Sequence, residues 1–119
     1  MKVKIVTITV NDQDKALEFY RDKLGFQVTT DQPDGQGGRW LELTPPSGGT
    51  HVVIYPPFPG QRAGGFSNIL FSSKDVKKTF EELSSRGVEI SVPLTEQPWG
   101  TFFQFKDRDG NEFLVSSND

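Results

Sequence analysis

The chain writes one pattern of apolar residues, helix caps and turns twice, about sixty residues apart, and this repetition limits the possible folds more than any other feature. In the first copy Val6, Ile8 and Val10 alternate with Ile5, Thr7 and Thr9, the period of a strand rich in β-branched residues. Asn11 or Asp12 can cap a following helix, because Ala16, Leu17, Phe19, Tyr20 and Leu24 fall at helical spacing and Gly25 is placed to stop it. An extended run resumes at Phe26-Gln27-Val28. Residues 39–44 and 51–55 then flank Pro45-Pro46-Ser47-Gly48-Gly49, which has the composition of a hairpin turn. The first copy therefore reads as βαβββ.

The second copy opens with a strand over residues 67–72. A helix follows with Val76, Phe80 and Leu83 on one face and Gly87 as its stop, then an extended run over residues 88–92. Residues 101–105 and 112–116 flank Asp107-Arg108-Asp109-Gly110-Asn111, a turn suited to a second hairpin. Between the copies, Pro56 to Gly65 is rich in proline and glycine and reads as an extended linker. The expectation is one α+β domain over residues 1–119, built from βαβββ modules at about 1–56 and 66–119. Neither module is large enough to bury its own sheet alone.

Thirteen Lys and Arg against sixteen Asp and Glu give a net charge of −3, and no basic stripe is present, so phosphate-driven nucleic-acid binding is not expected. No segment has the length of an apolar membrane span, and the first residues alternate rather than forming a signal-type apolar run, so a cytoplasmic protein without membrane partners is expected. The absence of Cys removes thiol catalysis, thiolate metal sites and disulfides.

The two βαβββ modules, the segment NDQDKALEFYRDKLGF and the closing DRDGNEF together resemble the vicinal oxygen chelate superfamily, which includes glyoxalase I, bleomycin-resistance proteins, fosfomycin-resistance enzymes and extradiol dioxygenases. The resemblance implies a curved mixed sheet around a cleft, with helices outside, and commonly a homodimer. In metal-dependent relatives, His, Gln or Glu side chains project into the cleft from the first and last strands of each module. Carried onto this chain, the resemblance places Ile5, Val53 or Ile54, Asn68 and Leu114 at those positions. Three of the four are aliphatic and Asn68 offers one neutral oxygen, so no metal and no cofactor are expected.

The expected function is therefore that of a glyoxalase/bleomycin-resistance-like protein binding a largely apolar small molecule. Ile5, Thr7, Trp40, Val53 and Tyr55 would line its cleft from the first module, and Asn68, Leu70, Trp99, Phe103 and Leu114 from the second. A glyoxalase-type lyase, isomerase or dioxygenase is the alternative, using unusual ligands such as Glu42, His51 and Asn68 or metal-free acid–base chemistry. A dimeric scaffold is a third reading.

The catalytic candidates are Glu42 and His51. Leu41 and Leu43 mark the packed side of their strand and put Glu42 toward solvent. Should Trp40 instead line the cleft, Glu42 shares its face and an aromatic neighbour would raise its pKa. His51, at a hairpin entrance, reads as a surface residue beside a turn. In the aromatic stretch, Trp99, Thr101, Phe103 and Phe105 are expected on one side of the strand and Phe102 and Gln104 on the other.

Overall fold

The structure is a computed structural model and describes residues 1–117. Its elements run β1 Ile5–Thr9, α1 Gln13–Glu18, β2 Gln27–Pro33, β3 Arg39–Thr44, β4 His51–Tyr55, β5 Gly65–Ser73, α2 Val76–Ser85, β6 Glu89–Gln97, β7 Gly100–Lys106 and β8 Asn111–Ser117. This is an α+β fold with the βαβββ order written twice. The chain divides into two compact units, with the boundary between Ala63 and Gly64. Each unit holds one four-stranded sheet, ordered β1-β4-β3-β2 in the first and β5-β8-β7-β6 in the second. The outermost pair β1/β4, and likewise β5/β8, is parallel, and the remaining pairs are antiparallel.

Both helices begin in the same way. Asp12 accepts from the Lys15 amide at 3.0 Å, and Asp75 accepts from the Lys78 amide at 3.0 Å, so each cap satisfies a donor that the first helical turn leaves open. Both stop at a glycine in left-handed backbone, Gly25 with φ 76° and Gly87 with φ 80°, where a side chain would be strained. After Glu18 the first helix widens into a π-helical stretch, Phe19–Lys23, in which the Leu24 amide reaches back to the Phe19 carbonyl at 3.3 Å. Apolar spacing gave no sign of that change.

In the first unit, Ile8, Val10, Leu41, Leu43, Val52 and Ile54 are buried on the side of the sheet that carries α1, where Ala16, Leu17 and Tyr20 meet them. The Gln13 side chain donates to the carbonyls of Arg39 at 2.7 Å and Ile54 at 3.0 Å and fastens the helix to β3 and β4. In the second unit Phe103, Phe105, Phe113 and Val115 form the buried side. Phe80 of α2 meets Phe103 edge-on with ring centres 5.3 Å apart, and Phe71 of β5 packs against both Phe105 and Phe113.

The outer strands β2 and β6 are irregular. Pairing of β2 with β3 slips between Val28 and Thr30, and pairing of β6 with β7 slips on both sides of Val92, where Pro93 follows. The strand β6 accordingly extends to Gln97, well past the residues 88–92 expected, because a proline at a bulge does not end an outer strand.

Candidate functional site

With one side of each sheet filled by its helix, alternation assigns the other side chains to an open face. Strand register fixes that face in the first unit. Thr7 pairs with Val53, Val53 with Glu42, and Glu42 with Thr30, so these four residues form one row across β1, β4, β3 and β2. Ile5 opposite His51 and Thr9 opposite Tyr55 lie on either side of the row, and Trp40 lies on the β2–β3 side opposite Gln32. The same strand order in the second unit gives the row Leu70, Leu114, Gln104 and Val92. Val53 and Leu114 each sit at the middle of the corresponding strand, so Gln104 of the second unit stands where Glu42 stands in the first.

Glu42 is the polar centre of the first row. It is buried, only 9% exposed, and both of its oxygens are engaged: Trp40 Nε1 donates to Oε1 at 3.2 Å, and His51 Nδ1 lies 2.6 Å from Oε2. The expectation of a solvent-facing Glu42 is corrected by this geometry. Leu41 and Leu43 do mark the packed side, but the opposite side of the strand is also covered at this point. His51 is likewise not a free surface residue, since its ring is held on Glu42 and its Nε2 lies 3.4 Å from the Thr44 hydroxyl, which in turn contacts the Thr29 hydroxyl.

The Glu42 carboxyl is held below its ordinary value of 4.5, first by the hydrogen bond from His51, against desolvation, with Trp40 adding to the depression. This reverses the rise expected from an aromatic neighbour, because Trp40 offers its N–H rather than only its ring. A carboxylate with a depressed folded value contributes stability that is fully present above about pH 4.5 and lost as pH falls through its folded value. The stability difference between wild type and Glu42→Gln should therefore be wide at neutral pH and narrow in acid, as read by urea unfolding at a series of pH values. A difference that stays constant down to strong acid would contradict the assignment.

Phe103, expected to face the cleft, is fully buried against Phe80 and Phe105 on the helix side and presents nothing to a ligand. Its partner across the ladder is Val115, while Phe102 pairs with Ser116 on the open face. Trp99, in the turn before β7, is 58% exposed and stacks on Phe102 with ring centres 5.3 Å apart. The aromatic pair away from the helix side is thus exposed Trp99 with half-buried Phe102. Tyr55 hydrogen-bonds through its hydroxyl to Asp34 and stacks on Phe58. Asn68 is exposed, with left-handed backbone at φ 63°, within the irregular pairing of β5 with β8 between Phe66 and Leu70. Leu70 is 60% exposed. Phe102 and Gln104 were set on the side of the strand opposite Phe103 but were not expected in the cleft, since only the ladder register shows that their side is the open one.

The model of the Glyoxalase/Bleomycin resistance protein/Dioxygenase superfamily matches residues 2–115. The chain belongs to that superfamily. It is 37% identical over 115 residues, 96% of each chain, to the uncharacterized protein YetH of Bacillus subtilis (strain 168). Among solved structures it resembles a member of the same superfamily from Sphaerobacter thermophilus DSM 20745, at 31% identity and TM-score 0.92, covering 99% of this chain and 98% of that one. It is also similar to TnmS3, an antibiotic binding protein from Streptomyces sp. CB03234, at 32% identity and TM-score 0.90, covering 100% of this chain and 97% of that one.

The residues expected from the resemblance at metal-ligand positions do not fit a divalent ion. Of Val53 and Ile54, Val53 is on the open face, whereas Ile54 is buried on the helix side beside Ile8. Ile5, Val53 and Leu114 carry no donor atom, and Asn68 supplies a single neutral oxygen. Glu42 Oε2 and His51 Nδ1 are directed at each other, Glu42 Oε1 accepts from Trp40, and His51 Nε2 lies beside the Thr44 hydroxyl. Among the described residues no group of three or more His, Cys, Asp or Glu side chains is placed to hold a metal, and no helix is long and apolar enough to cross a membrane.

Proposed function

We propose that this protein binds a small, largely apolar organic molecule and holds it without chemical change. The observation that carries the reading is the second unit's open face. Its sheet already fills one side with Phe103, Phe105, Phe113 and Val115, yet its other side presents Leu70, Leu114 and Phe102, with Leu70 60% exposed. That second apolar surface lies on the side of the sheet away from α2, and apolar groups displayed in this way mark a place where something else is bound. The likeness over the whole chain to TnmS3, an antibiotic binding protein, supports a ligand of antibiotic type. In the first unit, Ile5, Thr7, Trp40 and Tyr55 would add a mixed surface around Glu42, whereas Val53, expected to line the cleft, is only 1% exposed and offers a ligand nothing. Coverage of the sheet edges by a second copy of the chain accords with this reading, and sedimentation at micromolar concentration tests it.

Trp40 and Trp99 provide the readout. Titration with a panel of antibiotics of varied aromatic and aliphatic character should quench tryptophan fluorescence with at least one of them. Leu114→Glu should then weaken that ligand by about tenfold or more, equivalent to about 1.4 kcal/mol, because it places a charge on the apolar row. A panel without a ligand, or a Leu114→Glu variant that binds unchanged, would remove the support.

The Glu42–His51 pair favours a second reading, a metal-free enzyme of lyase or isomerase type in which a carboxylate-oriented imidazole moves a proton. Turnover of a bound ligand, lost in Glu42→Gln, would establish it in place of simple binding.

A further inference from the structure

We propose that Gln104 is the hydrogen-bonding centre of the second unit's open face, and that the ligands of this protein are neutral, flat aromatic molecules carrying a carboxamide or lactam. The inference rests on the binding function above and narrows its ligand class. The two units place a polar residue at the same point of corresponding strands and treat it differently. Glu42, in the first, has both oxygens engaged by Trp40 and His51. Gln104, in the second, is half-buried, yet its side chain makes no hydrogen bond among the described residues, and neither of its polar atoms is closed off from solvent. Its ladder partners are Leu114 and Val92, and Leu70 lies beyond Leu114, so the row itself offers the amide nothing. A side-chain amide carries an acceptor and donors in one plane, and a carboxamide or lactam edge answers both at once.

The rows on either side define the rest of the ligand. Two residues before Gln104 on the same face, about 7 Å along the strand, Phe102 stacks on Trp99 with planes 26° from parallel. Trp99 is exposed, so this stack keeps an aromatic surface free for a further ring. The row of Phe102 continues with uncharged Ser116 and Thr95. Two residues after Gln104, Lys106 pairs with Glu89 and Glu112 across the ladder, and its ammonium lies 3.6 and 3.7 Å from their carboxylates. An anionic ligand therefore finds no uncommitted cation in these rows, and a cationic one has to displace Lys106. What fits is a neutral molecule whose ring lies against Trp99 and whose amide reaches Gln104. A ligand without the amide covers Gln104 and leaves its donors and acceptor unmatched, and that penalty makes the residue a discriminator.

The test compares 2-naphthamide with 2-acetonaphthone by isothermal titration calorimetry on the full chain. The two probes have nearly the same shape and share the fused ring and the carbonyl, but the ketone carries a methyl group where the amide has its N–H donors. The amide is expected to bind at least about tenfold more tightly. 2-Naphthoate, which adds a negative charge, should bind more weakly than the amide. Gln104→Leu and the near-isosteric Gln104→Met should each bring the amide and ketone affinities together, with circular dichroism confirming that each variant is folded. Trp99→Ala should weaken both probes by a similar factor, because it removes the stack and leaves the amide contact. Equal or inverted affinities of amide and ketone in wild type, discrimination that survives both Gln104 substitutions, a naphthoate as tight as the amide, or a Trp99→Ala protein that binds both probes unchanged would overturn the assignment while leaving apolar binding intact. If no probe binds although an antibiotic from the panel does, the amide assignment alone fails. If no compound of either set binds, the binding function fails with it.

Discussion

Replacing Phe103 by Ala should lower the stability of the protein by about 3–5 kcal/mol, the cost of opening a cavity where a buried aromatic ring was. Domains of this kind have total stabilities of about 5–15 kcal/mol, so the urea midpoint should fall steeply. The size of the effect follows from position. Phe103 has no exposed surface, meets Phe80 edge-on and touches Phe105, and so joins α2 to the middle of its sheet. Trp99→Ala provides the contrast. That larger ring is 58% exposed and stacks only on Phe102 among the ring contacts described, so its loss should change stability by less than about 1 kcal/mol. Parallel urea titrations of the two variants decide between an interior Phe103 and a ligand-facing one. A mild Phe103→Ala beside a severe Trp99→Ala would invert the face assignment of the whole β7 strand.

Asp107→Ala should destabilise by about 2–3 kcal/mol without touching an apolar side chain, because it strips the acceptor from donors that sit inside the last turn. The Asp107 carboxylate is only 6% exposed and accepts from the amides of Asp109 and Asn111, each at 2.9 Å, and from Asn111 Nδ2 at 2.8 Å. Asn111 is buried to the same degree, and its side-chain oxygen Oδ1 accepts from the Gly64 amide at 2.8 Å where β5 begins. One carboxylate therefore holds both the β7–β8 turn and, through Asn111, the first residues of the unit. Asp107→Asn keeps an oxygen but not the charge and should fall between wild type and Ala in thermal unfolding. An Asp107→Ala protein as stable as wild type would show that the turn is held by other means.

The turn that Asp107 organises is also the part of the sequence that spoke most plainly. Asp-x-Asp-Gly-Asn was legible because its requirements are local: a side-chain acceptor for nearby amides and a glycine at φ 81°. A first helix start at Asn11 or Asp12, the helix stops at Gly25 and Gly87, and the β3–β4 hairpin were legible for the same reason, whereas the cap at Asp75 was not read. What escaped was set by ladder register or by neighbours distant along the chain. Phe102 and Phe103 are both aromatic, and alternation says only that they differ in face. Which one is interior depends on where α2 lies. The Glu42–His51 contact joins residues nine apart across a hairpin, and its effect on the Glu42 carboxyl is opposite to what Trp40 alone suggested. The π-helical stretch and the slips in β2 and β6 have no periodic signature either.

Those slips bear on how the protein behaves when it is concentrated. β2 and β6 are the outer strands on the antiparallel side of their sheets, and outer strands offer unpaired amides and carbonyls to any other strand that approaches. β6 is nine residues long, enough to template a growing fibril were it straight. Pro93 removes an amide from its middle, and the breaks in register on either side of Val92 bend it away from the flat geometry that stacking needs. In β2 the break after Val28 and the terminal Pro33 do the same on a shorter strand. The irregularities that hide these strands from a reading of the sequence thus act as guards against cross-β assembly.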